Sequence, residues 1–242
     1  MAIEKIRGII TEVRKHSDRH NVVSVFTRDQ GRVALLAPAS NGKSARVRNA
    51  SLMPLSVITA DINFNNNREL QFLGRFQRAC VWRDIYFNPI KSSIALFLTE
   101  FINTYTRNLG PDPALWDFFK RAIGSLDDMK RNVANFHLGF LIEFARYAGV
   151  EPDLTEWRDD AWFDMREGIM TIQPPLHRDY LTIDRSRMLP QLMRLNLRTA
   201  RVFSLNGAQR REMLDKILKY YSLHFPGLGN LKSPEVLTHI FT

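Results

Sequence analysis

The chain has 242 residues, 45% of them hydrophobic and 24% charged, which describes a folded globular protein able to bury one large core or two moderate ones. A single cysteine, Cys80, excludes an internal disulfide and a multi-cysteine metal cluster, and no apolar run nears the roughly 20 residues that span a bilayer. The net charge of +9 is badly divided: residues 1–80 carry 13 Lys+Arg against 6 Asp+Glu, the rest 21 against 19.

The first 76 residues read as strands. Ile3–Val13 is β-rich and ends in the polar cluster Lys15–Asn21. Val22–Thr27 follows, then a turn through Asp29-Gln30-Gly31, then Val33–Ala37, the spacing of a hairpin. From Gln30 to Ala60 there is no acid, yet Arg32, Lys43, Arg46 and Arg48 all fall there. Ile58, Ala60, Ile62 and Phe64 then alternate with polar residues, Asn65-Asn66-Asn67 suits a turn, and Glu69–Phe76 gives a fifth strand. Five short strands with one long loop between the third and fourth predict a small Greek-key barrel of the OB type, with an SH3-like barrel as the alternative.

From about Cys80 the period becomes helical. Apolar stripes run over Ile94–Tyr105, Leu115–Leu126 (with Pro113 near its start) and Val133–Tyr147, the last closed by Gly149. Asn206 caps a later helix through Met213–Tyr221, and Ser233-Pro234-Glu235 opens a final one. Between Glu151 and Leu181 the pattern breaks, with three prolines and Asp159, Asp160 and Asp164, and a hairpin is expected around Glu167-Gly168. The expected fold is therefore α+β in two domains: residues 1–79 as an OB-type β-barrel, and 80–242 as an all-α domain with an irregular insertion at about 151–181.

Catalytic signatures are missing. Gly42-Lys43-Ser44 ends like a phosphate loop, but Ala37 stands where its first glycine belongs. His16 and His20 are four apart in a polar loop without a third ligand, and His137 lies beside an apolar stripe where a structural role is expected. No catalytic residue, metal or cofactor is expected. The basic charge instead points to a polyanion, held through Arg7, Arg14, Lys15, Arg32, Lys43, Arg46 and Arg48, most of them in loops or at loop edges.

Three ordered groups of residues carry a resemblance. They are Val25-Phe26-Thr27 with Gly31-Arg32-Val33, the Lys43–Arg48 loop and Leu52-Met53-Pro54-Leu55; Phe144–Val150 with Pro152; and Tyr220–His224 with Leu231-Lys232-Ser233. In this order over a strand-then-helix layout, the chain resembles the RecO family of bacterial recombination mediators. The single cysteine and the lack of an apolar span point to the cytoplasm. The resemblance implies a protein that is not an enzyme and that binds single- and double-stranded DNA and anneals complementary strands. It also implies a RecR-like partner, action on RecA-type recombinase, and contact with the acidic tail of single-strand-binding protein. For that tail, Lys120, Arg121, Lys130 and Arg131 are the candidate receptor residues. Many members carry a four-cysteine zinc module after the corresponding helix end. Leu154–Arg178 has no cysteine, so Trp157, Trp162, Phe163 and Met165 are expected to pack an apolar mini-core in its place. An OB-type RNA-binding protein and a protein-interaction scaffold with a basic docking face are the competing readings.

Overall fold

Five strands, β1 (Ile3–Lys15), β2 (His20–Thr27), β3 (Gly31–Pro38), β4 (Val57–Asn63) and β5 (Leu70–Arg78), form a closed barrel ordered β1-β2-β3-β5-β4. This is the OB order, seen in a computed structural model that describes residues 3–39, 51–65 and 67–240. Every pairing is antiparallel except β3 with β5. Alternation fills the interior: Ile6, Ile10, Val23, Val25, Val33, Leu35, Ile58, Ile62 and Leu73 point inward, so their neighbours point out. A bulge between Ile10 and Glu12 shifts the β1 register once. At the β2–β3 turn Gly31 has φ 68°, and a Cβ there would stand 2.6 Å from the backbone of Gly110, so only glycine fits.

The chain divides into two compact units, Met1–Asp128 and Met129–Thr242. The change from strand to helix falls close to residue 79, where the domain boundary was expected, but the first compact unit also takes in two long helices. These are α1 (Pro89–Tyr105) and α2 (Pro113–Asp128). Asn88 caps α1 by accepting from the Ile90 and Lys91 N–H groups. On α2, the Trp116 indole N–H donates to the Phe26 carbonyl at 3.1 Å, and Phe119 meets Phe26 edge-on at 6.0 Å. The segment before α1 is pinned by Asp127, whose carboxylate accepts the N–H groups of Arg83, Asp84 and Ile85 at 2.8–2.9 Å. Lys91, 1% exposed, completes that knot by donating to Asp84 Oδ2 (2.7 Å) and the Asp127 carbonyl (2.6 Å).

In the second unit, α3 (Phe136–Tyr147) is followed by β6 (Trp162–Asp164), β7 (Ile169–Thr171) and β8 (Tyr180–Leu181). Two short helices, α4 (Ile183–Ser186) and α5 (Leu189–Leu192), lead to α6 (Gly207–His224) and α7 (Ser233–Ile240). The segment expected to be irregular thus holds a small antiparallel sheet ordered β7-β6-β8, with the hairpin turning through Gly168 at φ 72°. Phe163 and Met165 join Ala161, Met170, Leu181, Leu189 and Tyr220 in a separate apolar core with Trp157 packed against it. Trp162 faces the other way and meets Tyr180 edge-on at 5.1 Å. Asn206 makes the full capping box with Gln209 at α6. The last helix takes in Ser233 itself rather than starting after it.

Candidate nucleic-acid interface

The outward residues of four neighbouring strands line up across the barrel. Arg14 on β1 pairs with Val22 on β2, Val22 with Leu36 on β3, and Leu36 with Phe72 on β5. This row lies on the strand 2–3 face with which OB folds meet oligonucleotides. Phe72 is 56% exposed, with the Arg68 guanidinium 5.6 Å from its ring centre. An exposed ring backed by a cation is the arrangement on which a base stacks. Sequence reasoning missed it, because Phe26, Phe64, Phe72 and Phe76 all fit core positions. The structure separates them: Phe26 is fully buried, Phe64 and Phe76 pack against the barrel core, and Phe72 stands outside it. The one available signal was the neighbour, since Leu73 takes the inward position and period 2 then turns Phe72 out.

At the other end of the row, Arg14 is 66% exposed with Glu12 at 3.2 Å, and Lys15 meets the open Asp18 at 2.7 Å. Surface pairs of this kind are worth about 0–1 kcal/mol, so either cation can turn to a phosphate at little expense. The β1–β2 loop also carries the exposed Arg19, whose carbonyl accepts the Ala39 N–H at 2.8 Å. The start of the β3–β4 connection is thereby held beside that loop. Lys43, Arg46 and Arg48 lie within the connection, outside the described residues.

Arg32 does not belong with these. Its guanidinium is only 17% exposed, donates to the Asn103 carbonyl (2.9 Å) and Ser24 Oγ (3.2 Å), and lies 4.0 Å from Glu12. Burial pushes its pKa down despite Glu12, so it is a strut between β3 and α1 rather than a phosphate ligand. Arg7 is exposed, but it sits on the half of β1 that pairs with β4, opposite Thr59. Its guanidinium lies 5.4 Å from the Trp116 ring centre, and the Lys120 ammonium lies 5.9 Å from the same ring. One residue expected at DNA and one expected at a protein partner therefore share a single aromatic face. Arg121 stands over Phe118 at 5.5 Å. Lys120 and Arg121 belong to the first compact unit, Lys130 and Arg131 to the second, where both are exposed.

His137 is fully buried, and desolvation, reinforced by the charge of Arg210, lowers its pKa to about 3. It is neutral near pH 7 and takes the structural role expected of it. Among the described residues no three His, Cys, Asp or Glu side chains converge as a metal site, and no helix is long and apolar enough to cross a membrane.

Two family models match the chain in tandem, Recombination protein O N terminal over residues 1–78 and Recombination protein O C terminal over residues 86–235. Among curated proteins, the chain is 33% identical over 240 residues to the DNA repair protein RecO of Bacteroides fragilis, covering 99% of each chain. It is 31% identical to that of Phocaeicola vulgatus (99% and 100% covered) and 26% identical to that of Flavobacterium psychrophilum (98% and 99%).

Proposed function

This chain belongs to the RecO family, and from that premise we propose that it serves DNA repair and recombination by binding DNA rather than by turning over a small molecule. On this reading it holds single- and double-stranded DNA and anneals complementary strands. With a RecR-like partner it then helps RecA load onto DNA coated by single-strand-binding protein. The observation that carries the reading is the outward row on β1, β2, β3 and β5. There a basic end at Arg14 and Lys15 and a stacking end at Phe72 and Arg68 flank the half-buried Leu36 and the buried Val22.

Such a surface grips the sugar-phosphate backbone and one ring face, leaving the pairing edges of the bases free, which is what annealing requires. Lys43, Arg46 and Arg48 add phosphate contacts from the acid-free connection, and Arg7 adds one on the β4 side. Arg32 is left out because its guanidinium is committed inside the fold. Lys120 and Arg121, or Lys130 and Arg131, receive the acidic tail of single-strand-binding protein.

Annealing of complementary oligonucleotides, with and without cognate single-strand-binding protein, tests the proposal. The chain should accelerate annealing in both cases, and acceleration should fade as salt rises, because each phosphate contact releases counterions. No acceleration at low salt would refute the annealing role. Equal or tighter binding of RNA of the same sequence would favour an RNA-binding OB protein.

A further inference from the structure

From Arg185 to Arg211, in the second compact unit, the sequence holds seven arginines and no lysine, aspartate or glutamate, between Asp184 and Glu212. Elsewhere in the unit three of five arginines meet acids: Arg146 lies 2.6 Å from Glu151, Arg158 3.0 Å from Asp160 and Arg166 2.7 Å from Asp179. The two at the start of the stretch do the same, Arg185 with Glu212 and Arg187 with Asp184. Arg194, Arg198, Arg201 and Arg211 differ. All four are exposed and, among the described residues, none has a carboxylate oxygen within 4.0 Å.

The backbone under them is firmly built. Asn196 Oδ1 accepts the N–H groups of Arg198 (2.8 Å) and Thr199 (3.0 Å), and Thr199 Oγ1 donates to the Arg194 carbonyl (2.7 Å). Glu143 of α3 accepts the Leu197 N–H at 3.1 Å. Asn132 donates to the Arg201 carbonyl (2.8 Å), while Asn135 donates to the Phe203 carbonyl (2.8 Å) and accepts from Arg210 (2.9 Å). This turn brings Lys130 and Arg131 into the same neighbourhood. The first turn of α6 carries no acid to complement the helix dipole, and Arg210 and Arg211 stand at its fourth and fifth residues. Like charges gathered on a fixed scaffold raise the local potential, and the guanidinium fork matches phosphate oxygens two at a time.

We propose that this arginine loop is a second polyphosphate-binding surface, which takes a strand of nucleic acid by its backbone so that one chain holds two strands together. An acidic protein is the weaker fit. Leu195, Leu197 and Ala200, between the arginines, are buried, and the apolar cavity lined by Met188, Leu189 and Leu192 is edged by Arg185, which is already paired with Glu212, rather than by the four arginines that lack an acid. The inference rests on the DNA-binding reading above and has its own readout. An oligothymidine of about ten nucleotides fits a single site and has no complement. Titrated at low salt into the full chain, it should saturate at two equivalents per chain. Reversal of Arg198, Arg201 and Arg211 to Glu should leave one equivalent, held with unchanged affinity, and annealing should collapse. The corresponding Gln variant serves if the Glu variant melts early.

One equivalent for the unaltered chain, or two for the variant, overturns the proposal while leaving the barrel reading intact. No binding at all sinks the barrel reading with it. Displacement of polyglutamate by the substitutions, with DNA stoichiometry unchanged, assigns the loop to an acidic protein and likewise overturns it.

Discussion

Replacing Phe72 by Ala separates a stacking residue from a structural one. The ring is 56% exposed on the outside of β5, so truncation removes little buried surface and should change stability by no more than about 1 kcal/mol, as surface substitutions do. The effect on DNA should be larger. Loss of one base–aromatic stack is worth about 1–3 kcal/mol, or roughly 5- to 150-fold in Kd. Arg68 loses its ring partner as well, adding about 0.5 kcal/mol. Fluorescence anisotropy with labelled oligothymidine, repeated over a salt series, gives the decisive signature. Phe72→Ala should weaken binding by the same factor at every salt concentration, because no charge has been removed. Arg14→Gln should instead reduce the slope of log K against log salt by about 0.7, one phosphate contact on a single strand. The reasoning fails if Phe72→Ala leaves Kd within twofold of the unaltered chain, or if it lowers the melting midpoint as a core truncation does.

Four further outcomes follow from the packing. Asp127→Ala strips the acceptor from three backbone N–H groups and should cost about 3 kcal/mol in urea unfolding at constant m, with Asp127→Asn costing less because one oxygen remains. His137 has its folded pKa lowered from 6.5 to about 3, so its neutral form stabilises the fold fully above pH 6.5 and less as pH falls towards 3. The loss should approach about 1.4 kcal/mol per pH unit, and a His137→Asn variant that retained the same acid slope would exclude this residue as its source. Gly139→Ala would place a Cβ 2.6 Å from the Asn196 carbonyl oxygen and 2.9 Å from the Ala200 side chain. It should destabilise the second unit by about 2 kcal/mol in thermal unfolding. Arg32→Met should cost about 2 kcal/mol by removing hydrogen bonds from a buried cation, while the salt slope of DNA binding stays unchanged.

Much of the fold was legible in the sequence because period is a local property. Ile58, Ala60 and Ile62 alternate and become β4; the stripe from Ile94 to Tyr105 lies within α1; the Asn206 and Gln209 spacing becomes a capping box. Long-range register is not local. That Arg14, Val22, Leu36 and Phe72 share one row depends on a bulge at Thr11 and on a parallel pairing between β3 and β5, neither of which has a sequence signature. The burial of Arg32 was hidden for the same reason: its acceptors, Ser24 and Asn103, come from another strand and from a helix 71 residues away. The arginine-rich stretch before α6 was visible as composition, but its exposure and its lack of acid neighbours required the structure.

The parallel contact between β3 and β5 rests on three residue pairs, Ala34 with Leu70, Leu35 with Gln71 and Leu36 with Phe72, whereas β2 and β3 pair over their full length. The barrel thus has one short seam, and the row proposed to meet DNA crosses it at the last of those pairs. A strand laid from Arg14 to Phe72 spans the place where the cylinder would first come apart, and so acts on it as a hoop acts on staves. On that proposal, gripping DNA would also keep the barrel shut. Oligothymidine should therefore protect the β3 and β5 amides from hydrogen exchange more than those of β4, by an amount that grows with ligand concentration over Kd.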